Sequence, residues 1–375
     1  MSTTMRVTIV GGGILGTAHA WHAVGRGHQV THLERETEAR GATVRNFGLV
    51  WVSGRSSGEL DASLRSRALW EDLGTEVPAI GFRPCGSLTL LRSPAEVAVA
   101  EEVCTRADAG RRGFRLLEPA EARRINPALR GKFVAALHCS RDGAVESRQA
   151  LPAIRASLEA SGRYTFLPAT EARGLTGTRV VDDRGNTHDA DVVIVCAGAA
   201  HGGLVRELAG DIPVRRVRLQ MMQTAPLDEP LTTAIADGDS MRYYPAFAGN
   251  ALDALRRSEN QDPVADEHRM QLLCVQRLDG GLTIGDTHEY TEPFAFDVTE
   301  APYGYLAGVV EELLGRPLPP IRRRWAGVYS QCVDPGRLAY RQHVGGGVWV
   351  VTGPGGRGMT LGPVIGEQTA DTIGL

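Results

Sequence analysis

Apolar positions along this chain follow two rhythms, short continuous runs and runs at helical spacing. Val7-Thr8-Ile9-Val10 is a short apolar run that stops at Gly11-Gly12-Gly13-Ile14-Leu15-Gly16. Small residues follow, then a second apolar run from Val30 to Leu33, closed by Glu34. Strand-like runs joined by a helical stretch predict a βαβ unit over Arg6 to Arg35. Leu60 to Leu73 and Ala95 to Ala109 carry apolar residues at helical spacing, with a strand predicted from Gly86 to Leu91 between them. Glu118 to Ala122 starts another helix, since Pro119 suits a first helical turn. A helix is expected from Arg148 to Ala160, then a β-rich stretch from Thr165 to Val195 with a hairpin turning at Asp183-Arg184-Gly185-Asn186. Asp191 to Ala199 is apolar throughout and ends in small residues, the pattern of a strand buried on both faces of a parallel sheet.

From Pro213 to Asp286 the pattern predicts longer strands and polar loops, with Ser258 to His268 an exposed loop and Gly281 to Gly285 a strand. The end returns to the opening style. Gly347 to Thr352 reads as a buried strand, Gly353 to Thr360 as a glycine-rich turn, and Leu361 onward as a helix. Both ends therefore belong to one nucleotide-binding α/β domain, and a second domain is interleaved between them.

A chain of 375 residues suits two domains, and 42% hydrophobic residues supports well-formed cores. A net charge of −3 makes no case for nucleic acid. No apolar run is long enough to span a bilayer, and the first apolar run is a strand, not a signal peptide. The six cysteines are scattered without a C-x-x-C pair, so no metal site is expected. Cys196 and Cys274 lie in apolar runs and read as reduced core residues, and the cytoplasm is the expected location.

The opening unit carries chemistry. In a G-x-G-x-x-G turn between strand and helix, Gly11, Gly13 and Gly16 let the backbone approach a pyrophosphate. The helix N-terminus offers unpaired N–H groups and a positive dipole to the phosphates. Glu34 is placed to bind a ribose through its hydroxyls. Ala197-Gly198-Ala199 has no bulky side chain, so either a cofactor lies against the backbone there or a helix packs closely.

Four motifs then occur in a familiar order: the opening βαβ unit, the loop Gly41 to Gly48, the strand end Cys196 to Ala199, and the turn Gly355 to Met359. Together they resemble flavoproteins of the D-amino-acid oxidase/sarcosine oxidase type over nearly the whole chain. The resemblance implies FAD rather than NAD. It implies an FAD-binding domain of Rossmann-like build from 1–85, 140–212 and 325–375, and an α+β substrate domain with a mixed, mostly antiparallel sheet from 86–139 and 213–324. Cofactor contacts are implied for Ile14, Leu15, Arg35, Thr43, Arg45, Asn46, Phe47 and Gly48. The same holds for Ala197, Gly198, Gly355, Gly356, Arg357, Gly358, Met359 and Thr360. The turn from Gly355 opens a helix whose N–H groups stabilise negative charge on reduced flavin. Some relatives tether flavin through a cysteine just before the segment matching Val328-Tyr329. Gly327 stands there in this chain and Cys332 lies further on, which implies non-covalent FAD. Where sarcosine-oxidase-like relatives have a lysine after the C-terminal turn, this chain has Thr360. The runs Val44 to Gly48 and Gly285 to Tyr290 further resemble oxidoreductases associated with phosphonate breakdown.

No second complete nucleotide-binding unit follows the first, so electrons are expected to come from an organic substrate and to leave to oxygen or another acceptor. Amine oxidation by flavin moves a hydride from a carbon next to nitrogen, and the protein chiefly orients that carbon. The expected substrate is a small anionic amine, first 2-aminoethylphosphonate or its N-methyl form, second an amino acid. An anionic end calls for an arginine. Arg45, Arg242 beside Tyr243 and Tyr244, Arg341 and Arg357 are candidates, although Arg45 and Arg357 flank flavin loops and a solvated strand edge is slightly the stronger reading of Arg242. His288 and Tyr290 follow a strand end and either serve catalysis or form a surface turn. Tyr329 and Gln331 alternate on a strand, facing the flavin or merely alternating. Three other readings stand beside this one: a flavin-dependent 2-hydroxy-acid dehydrogenase, a non-catalytic flavin-binding protein, and an NAD(P)-dependent dehydrogenase.

Overall fold

The computed structural model describes residues 3–375. Two large sheets organise it, giving the α/β class. The first has six strands in the order Tyr340–Gly345, Val348–Thr352, Val192–Val195, Arg6–Val10, Gln29–Leu33, Tyr164–Leu167. All its pairings are parallel except that of the edge strand Tyr340–Gly345, which runs antiparallel to Val348–Thr352. The central strands are apolar on both faces because helices cover both sides: Val7, Ile9, Val193, Ile194, Val195 and Val350 are buried.

The helix Ile14–Gly25 leaves the first strand through the glycine turn and packs against the C-terminal helix Gly358–Ile373. Small residues allow the close approach. A Cβ on Gly362 would lie 2.6 Å from Ile14 Cγ1, and one on Gly366 3.0 Å from the Ala18 backbone. Pro363 sits inside the C-terminal helix and has no N–H for the carbonyl four residues back, that of Met359. The Trp70 indole N–H donates to that carbonyl instead, at 2.7 Å.

The second sheet has eight strands in the order Ile321–Cys332, Val214–Pro226, Gly281–Gly285, Leu273–Gln276, Ala234–Asp237, Ser87–Leu91, Ala135–Cys139, Phe114–Leu117. It is antiparallel except between Ala234–Asp237 and Ser87–Leu91. One face packs on the helix Glu300–Leu314, burying Leu306, Val310 and Leu313. The other face looks toward the end of the first sheet where the glycine turn lies.

The stretch after Pro213 holds more helix than its pattern suggested. Gly238–Tyr243, Asn250–Ser258 and Pro263–Glu267 are helical. Ser258 to His268 is therefore not simply a loop: the Asp262 side chain caps the Val264 N–H at 2.8 Å, and Pro263 occupies the first turn. The helix expected from Ala95 to Ala109 runs over Pro94–Cys104 and is followed by a separate turn, Ala109–Arg112.

Two buried histidines brace the glycine turn. His32 lies 2.9 Å from the Gly11 carbonyl through Nε2 and 2.8 Å from the Tyr164 hydroxyl through Nδ1. His19 Nδ1 lies 2.6 Å from the Leu15 carbonyl. Burial pushes both down to about 4. Each is kept neutral in the fold but charges more readily once unfolded. Their stabilisation is therefore complete above the ordinary value of 6.5 and is lost as pH falls from there toward about 4. Each contributes up to about 3 kcal/mol to that loss. Thermal unfolding at stepped pH should show Tm falling through this window. His32→Gln keeps an N–H donor without a titration, and should give a shallower fall.

Candidate active site

The carboxyl ends of Arg6–Val10 and Val192–Val195 open into a cavity of 1480 Å³ that reaches across to the eight-stranded sheet. This exceeds the ~300–1000 Å³ of ordinary small-molecule clefts. The position is where open α/β sheets bind nucleotides.

At the sheet end, Gly11 has φ +107°, and a Cβ there would lie 2.3 Å from the Cys196 carbonyl oxygen. A Cβ on Gly16 would lie 1.9 Å from the Gly11 carbonyl oxygen. These two glycines are demanded by the fold itself, and Gly16 does not line the cavity. Gly13 differs: its nearest neighbour for a Cβ is Thr43 Oγ1 at 3.4 Å, and its backbone is extended. The protein leaves that space open on the cavity side. The Thr43 hydroxyl accepts the Ile14 N–H at 3.0 Å and so caps the first helix. Glu34 accepts the Gly12 N–H at 2.7 Å, and its carboxylate lines the cavity beside Arg35. Gly198, with φ +59°, also faces open space. Arg155, which sequence reasoning missed, donates to the Gly12 carbonyl at 3.2 Å and stacks over Phe166.

Farther along, the loop before the second sheet is tied down by its own polar groups. Asn46 donates to the carbonyls of Ala42 and Thr43 and accepts the Gly48 N–H at 2.6 Å. Arg45 donates to the Ala326 carbonyl at 3.0 Å. Gly48 does not line the cavity; a Cβ on it would lie 2.0 Å from the Val145 carbonyl oxygen. The N-terminus of the C-terminal helix meets the cavity at Gly355, Gly356, Gly358 and Met359. Arg357 there is ion-paired with Glu59, and the Thr360 hydroxyl accepts the Trp51 N–H at 2.9 Å. An open glycine turn, two long helices presenting their N-termini, and a glycine-lined far end fit a dinucleotide carrying an electron-rich ring.

Residues 6–372 match the family described as DAO, FAD dependent oxidoreductase. The chain belongs to that family. The family is one of FAD-dependent oxidoreductases. Among curated relatives it is 26% identical over 280 residues to the mitochondrial pyruvate dehydrogenase phosphatase regulatory subunit of Mus musculus, covering 71% of this chain and 32% of that protein. It is 27% identical over 194 residues to an opine oxidase component of Rhizobium meliloti, covering 46% of this chain and 52% of that one. The matches thus span about a third and about half of those proteins. Glycine oxidase of Geobacillus kaustophilus is 26% identical over 258 residues, covering 66% of this chain and 68% of the relative. Its crystal structure superposes with a TM-score of 0.77 at 22% identity over 99% of this chain and 95% of that chain, a likeness of fold. No helix among the described residues is long and apolar enough to cross a membrane.

At the end of the cavity farthest from the glycine turn, this flavoprotein gathers Tyr243, Tyr244, His288, Tyr290 and Tyr329. Tyr243 stacks on His288 with ring centres 4.2 Å apart, and His288 lies 6.3 Å from Tyr290. The Tyr329 hydroxyl is buried and has no hydrogen-bond partner among the described residues. Gln331 lines the cavity, but its Oε1 accepts from Arg215 at 3.1 Å.

Of the four arginines considered for the substrate, Arg45 and Arg357 line the cavity, and Arg242 and Arg341 do not. Arg242 lies on the helix Gly238–Tyr243, not on a strand edge. It pairs with Asp239 at 3.3 Å and donates to the Glu259 carbonyl, so it lines a different, smaller cleft. Helical phase turns it away while its neighbours Tyr243 and Tyr244 face the cavity. Arg341 is held under the C-terminal helix by the Thr369 hydroxyl at 2.9 Å. An arginine that lines the cavity beside Tyr244 is Arg55. It is 5% exposed, with Nε donating to the Trp51 carbonyl at 3.1 Å and its guanidinium 5.2 Å from the Tyr244 ring centre. Among the described residues its two terminal nitrogens have no acceptor. Its one sequence signal was a charge at Gly54-Arg55-Ser56 directly after the apolar run Leu49 to Val52.

Proposed function

We propose that this flavoprotein oxidises the C–N bond of a small anionic amine. The first candidate substrate is 2-aminoethylphosphonate or its N-methyl form, and the second is an amino acid. The observation that carries this reading is Arg55. Buried terminal guanidinium nitrogens without an acceptor cost stability, and a bound anion offsets that cost with two parallel charge-assisted hydrogen bonds. The aromatic wall beside it suits the amine end, since ring faces attract cations. The relatives named for glycine and opine oxidation support an amine over a hydroxy acid. Phosphonate is supported by the two runs that carry the narrower resemblance, from which Phe47, Asp286, His288 and Tyr290 line the cavity.

In this reading Gly13, Glu34, Arg35 and Thr43 hold the dinucleotide, and the turn at Gly355 to Gly358 faces the electron-rich end of the ring. FAD supplies the two-electron acceptor for the hydride leaving the carbon next to nitrogen. Arg55 fixes the anionic end, and Tyr244, Tyr290 and Tyr329 bound the amine end and exclude water. The imine product hydrolyses to an aldehyde or keto compound. We assign 1–85, 140–212 and 325–375 to the cofactor domain and the remainder to the substrate domain. FAD is held non-covalently in this scheme: Gly327 faces the Arg45 side chain, and the buried Cys332 lies outside the cavity lining.

The test is anaerobic mixing of purified yellow protein with 2-aminoethylphosphonate, its N-methyl form, glycine, N-methylglycine and lactate. Bleaching of the flavin by an anionic amine and not by lactate is the expected result. Bleaching by lactate alone would replace this reading with a hydroxy-acid dehydrogenase.

A further inference from the structure

The amine end of the cavity contains a carboxylate with no assigned role. Asp286 is 4% exposed and begins the segment after the strand Gly281–Gly285. Its Oδ1 accepts from Gln271 Nε2 at 3.2 Å, and the same amide donates to the Tyr244 hydroxyl at 3.0 Å. Its Oδ2 lies 4.0 Å from His288 Nε2, too far for a hydrogen bond. His288 Nδ1 lies 3.1 Å from the Arg269 carbonyl, which can only accept. Nδ1 therefore carries the ring hydrogen that meets that carbonyl. Around this carboxylate Gln271 Oε1 and the Tyr329 hydroxyl are also buried without partners. Asp286 Oδ2, Gln271 Oε1 and the Tyr329 hydroxyl offer oxygen acceptors that suit the N–H donors of an ammonium group.

We propose that Asp286 receives the substrate's ammonium group and takes one of its protons. An N–H bond breaks, an O–H bond forms on Oδ2, and nitrogen keeps the electron pair, so nothing is oxidised or reduced in this step. Neutral nitrogen then carries the lone pair that drives hydride departure from the adjacent carbon. This deepens the reading above and rests on it. It specifies the substrate as a zwitterion with its anion at Arg55 and its nitrogen at Asp286. Both sites flank Tyr244, with Arg55 over its ring and Asp286 linked to its hydroxyl through Gln271.

His288 and three phenols also face Asp286. His288 comes from its own segment, Tyr243 and Tyr244 from the end of the helix Gly238–Tyr243, and Tyr329 from the strand Ile321–Cys332. Burial pushes all three phenols up, which keeps them neutral. Burial also pushes the Asp286 carboxyl up, opposed by His288 and by the Gln271 hydrogen bond. That shift narrows the gap to an ammonium and favours the transfer.

The test uses flavin-loaded protein and whichever amine of the panel bleaches the wild type. Asp286→Asn should slow flavin reduction about 100-fold at neutral pH. Its rate should then rise about tenfold per pH unit up to the amine's own pKa, because this variant uses only amine that arrives neutral. The wild type should instead lose activity as pH falls through the raised Asp286 value. Gln271→Met removes a bond that holds that value down, so it should move the acid limb to higher pH. Ethylphosphonate, which lacks the nitrogen, should bind Asp286→Asn no more weakly than the wild type, read from the flavin spectrum, because the variant removes a negative charge from the site. A wild-type rate and pH profile in Asp286→Asn would overturn the role. If that variant does not retain flavin, an unmoved acid limb in Gln271→Met would overturn it. Failure of every amine to bleach the wild type is a separate outcome, seen before any substitution, and removes the functional reading itself.

Discussion

Replacing Arg55 by methionine is expected to lower kcat/KM for the anionic amine by about 100- to 1000-fold, because one buried charge-assisted contact is lost, worth about 3–4 kcal/mol. Methionine keeps much of the volume and the packing on Tyr244 while removing the charge. The same change should leave Tm no lower than in the wild type, since buried terminal guanidinium nitrogens without an acceptor cost stability when no anion is bound. Loss of turnover without loss of stability marks a ligand-binding arginine and separates it from the structural ones. Arg357, paired with the buried Glu59, should behave in the opposite way. Steady-state kinetics and thermal unfolding on the two variants check this. Wild-type kcat/KM in Arg55→Met would move the anion site elsewhere.

Gly13→Val should yield folded, colourless protein, with affinity for FAD reduced by roughly 1000-fold or more as bulk enters the space over the turn. The protein tolerates the side chain: the backbone at Gly13 is extended with φ −74°, and the nearest atom to a Cβ is 3.4 Å away. The cofactor diphosphate does not tolerate it. Gly16→Ala provides the contrast, because its Cβ would lie 1.9 Å from the Gly11 carbonyl oxygen and must distort the turn itself. Visible absorbance after purification and apo-protein Tm distinguish the two: Gly13→Val loses colour and keeps Tm, while Gly16→Ala loses both. Full flavin retention in Gly13→Val would remove Gly13 from the cofactor site.

Elements whose signal is local were legible in the chain. The strand Arg6–Val10, the glycine turn and the helix Ile14–Gly25 follow from a few adjacent residues, and so does the strand Val348–Thr352 with its glycine turn. The helix Asn250–Ser258 was missed because two buried leucines, Leu252 and Leu255, are its whole apolar face. The helix Pro263–Glu267 was hidden in polar sequence, although Asp262 and Pro263 form a good start signal.

Sequence alone determined that this chain builds a dinucleotide-binding α/β layer from both of its ends, because glycine spacing, strand length and apolar runs act through neighbouring residues. Tertiary structure alone decided which charges meet the substrate. Arg242 and Tyr244 are two positions apart, yet one faces a separate cleft and the other the cavity. Arg55, Gln271 and Asp286 come from three distant segments and converge on one tyrosine. A side chain's direction depends on helix phase and on what packs against it, and neither is written in its immediate neighbours.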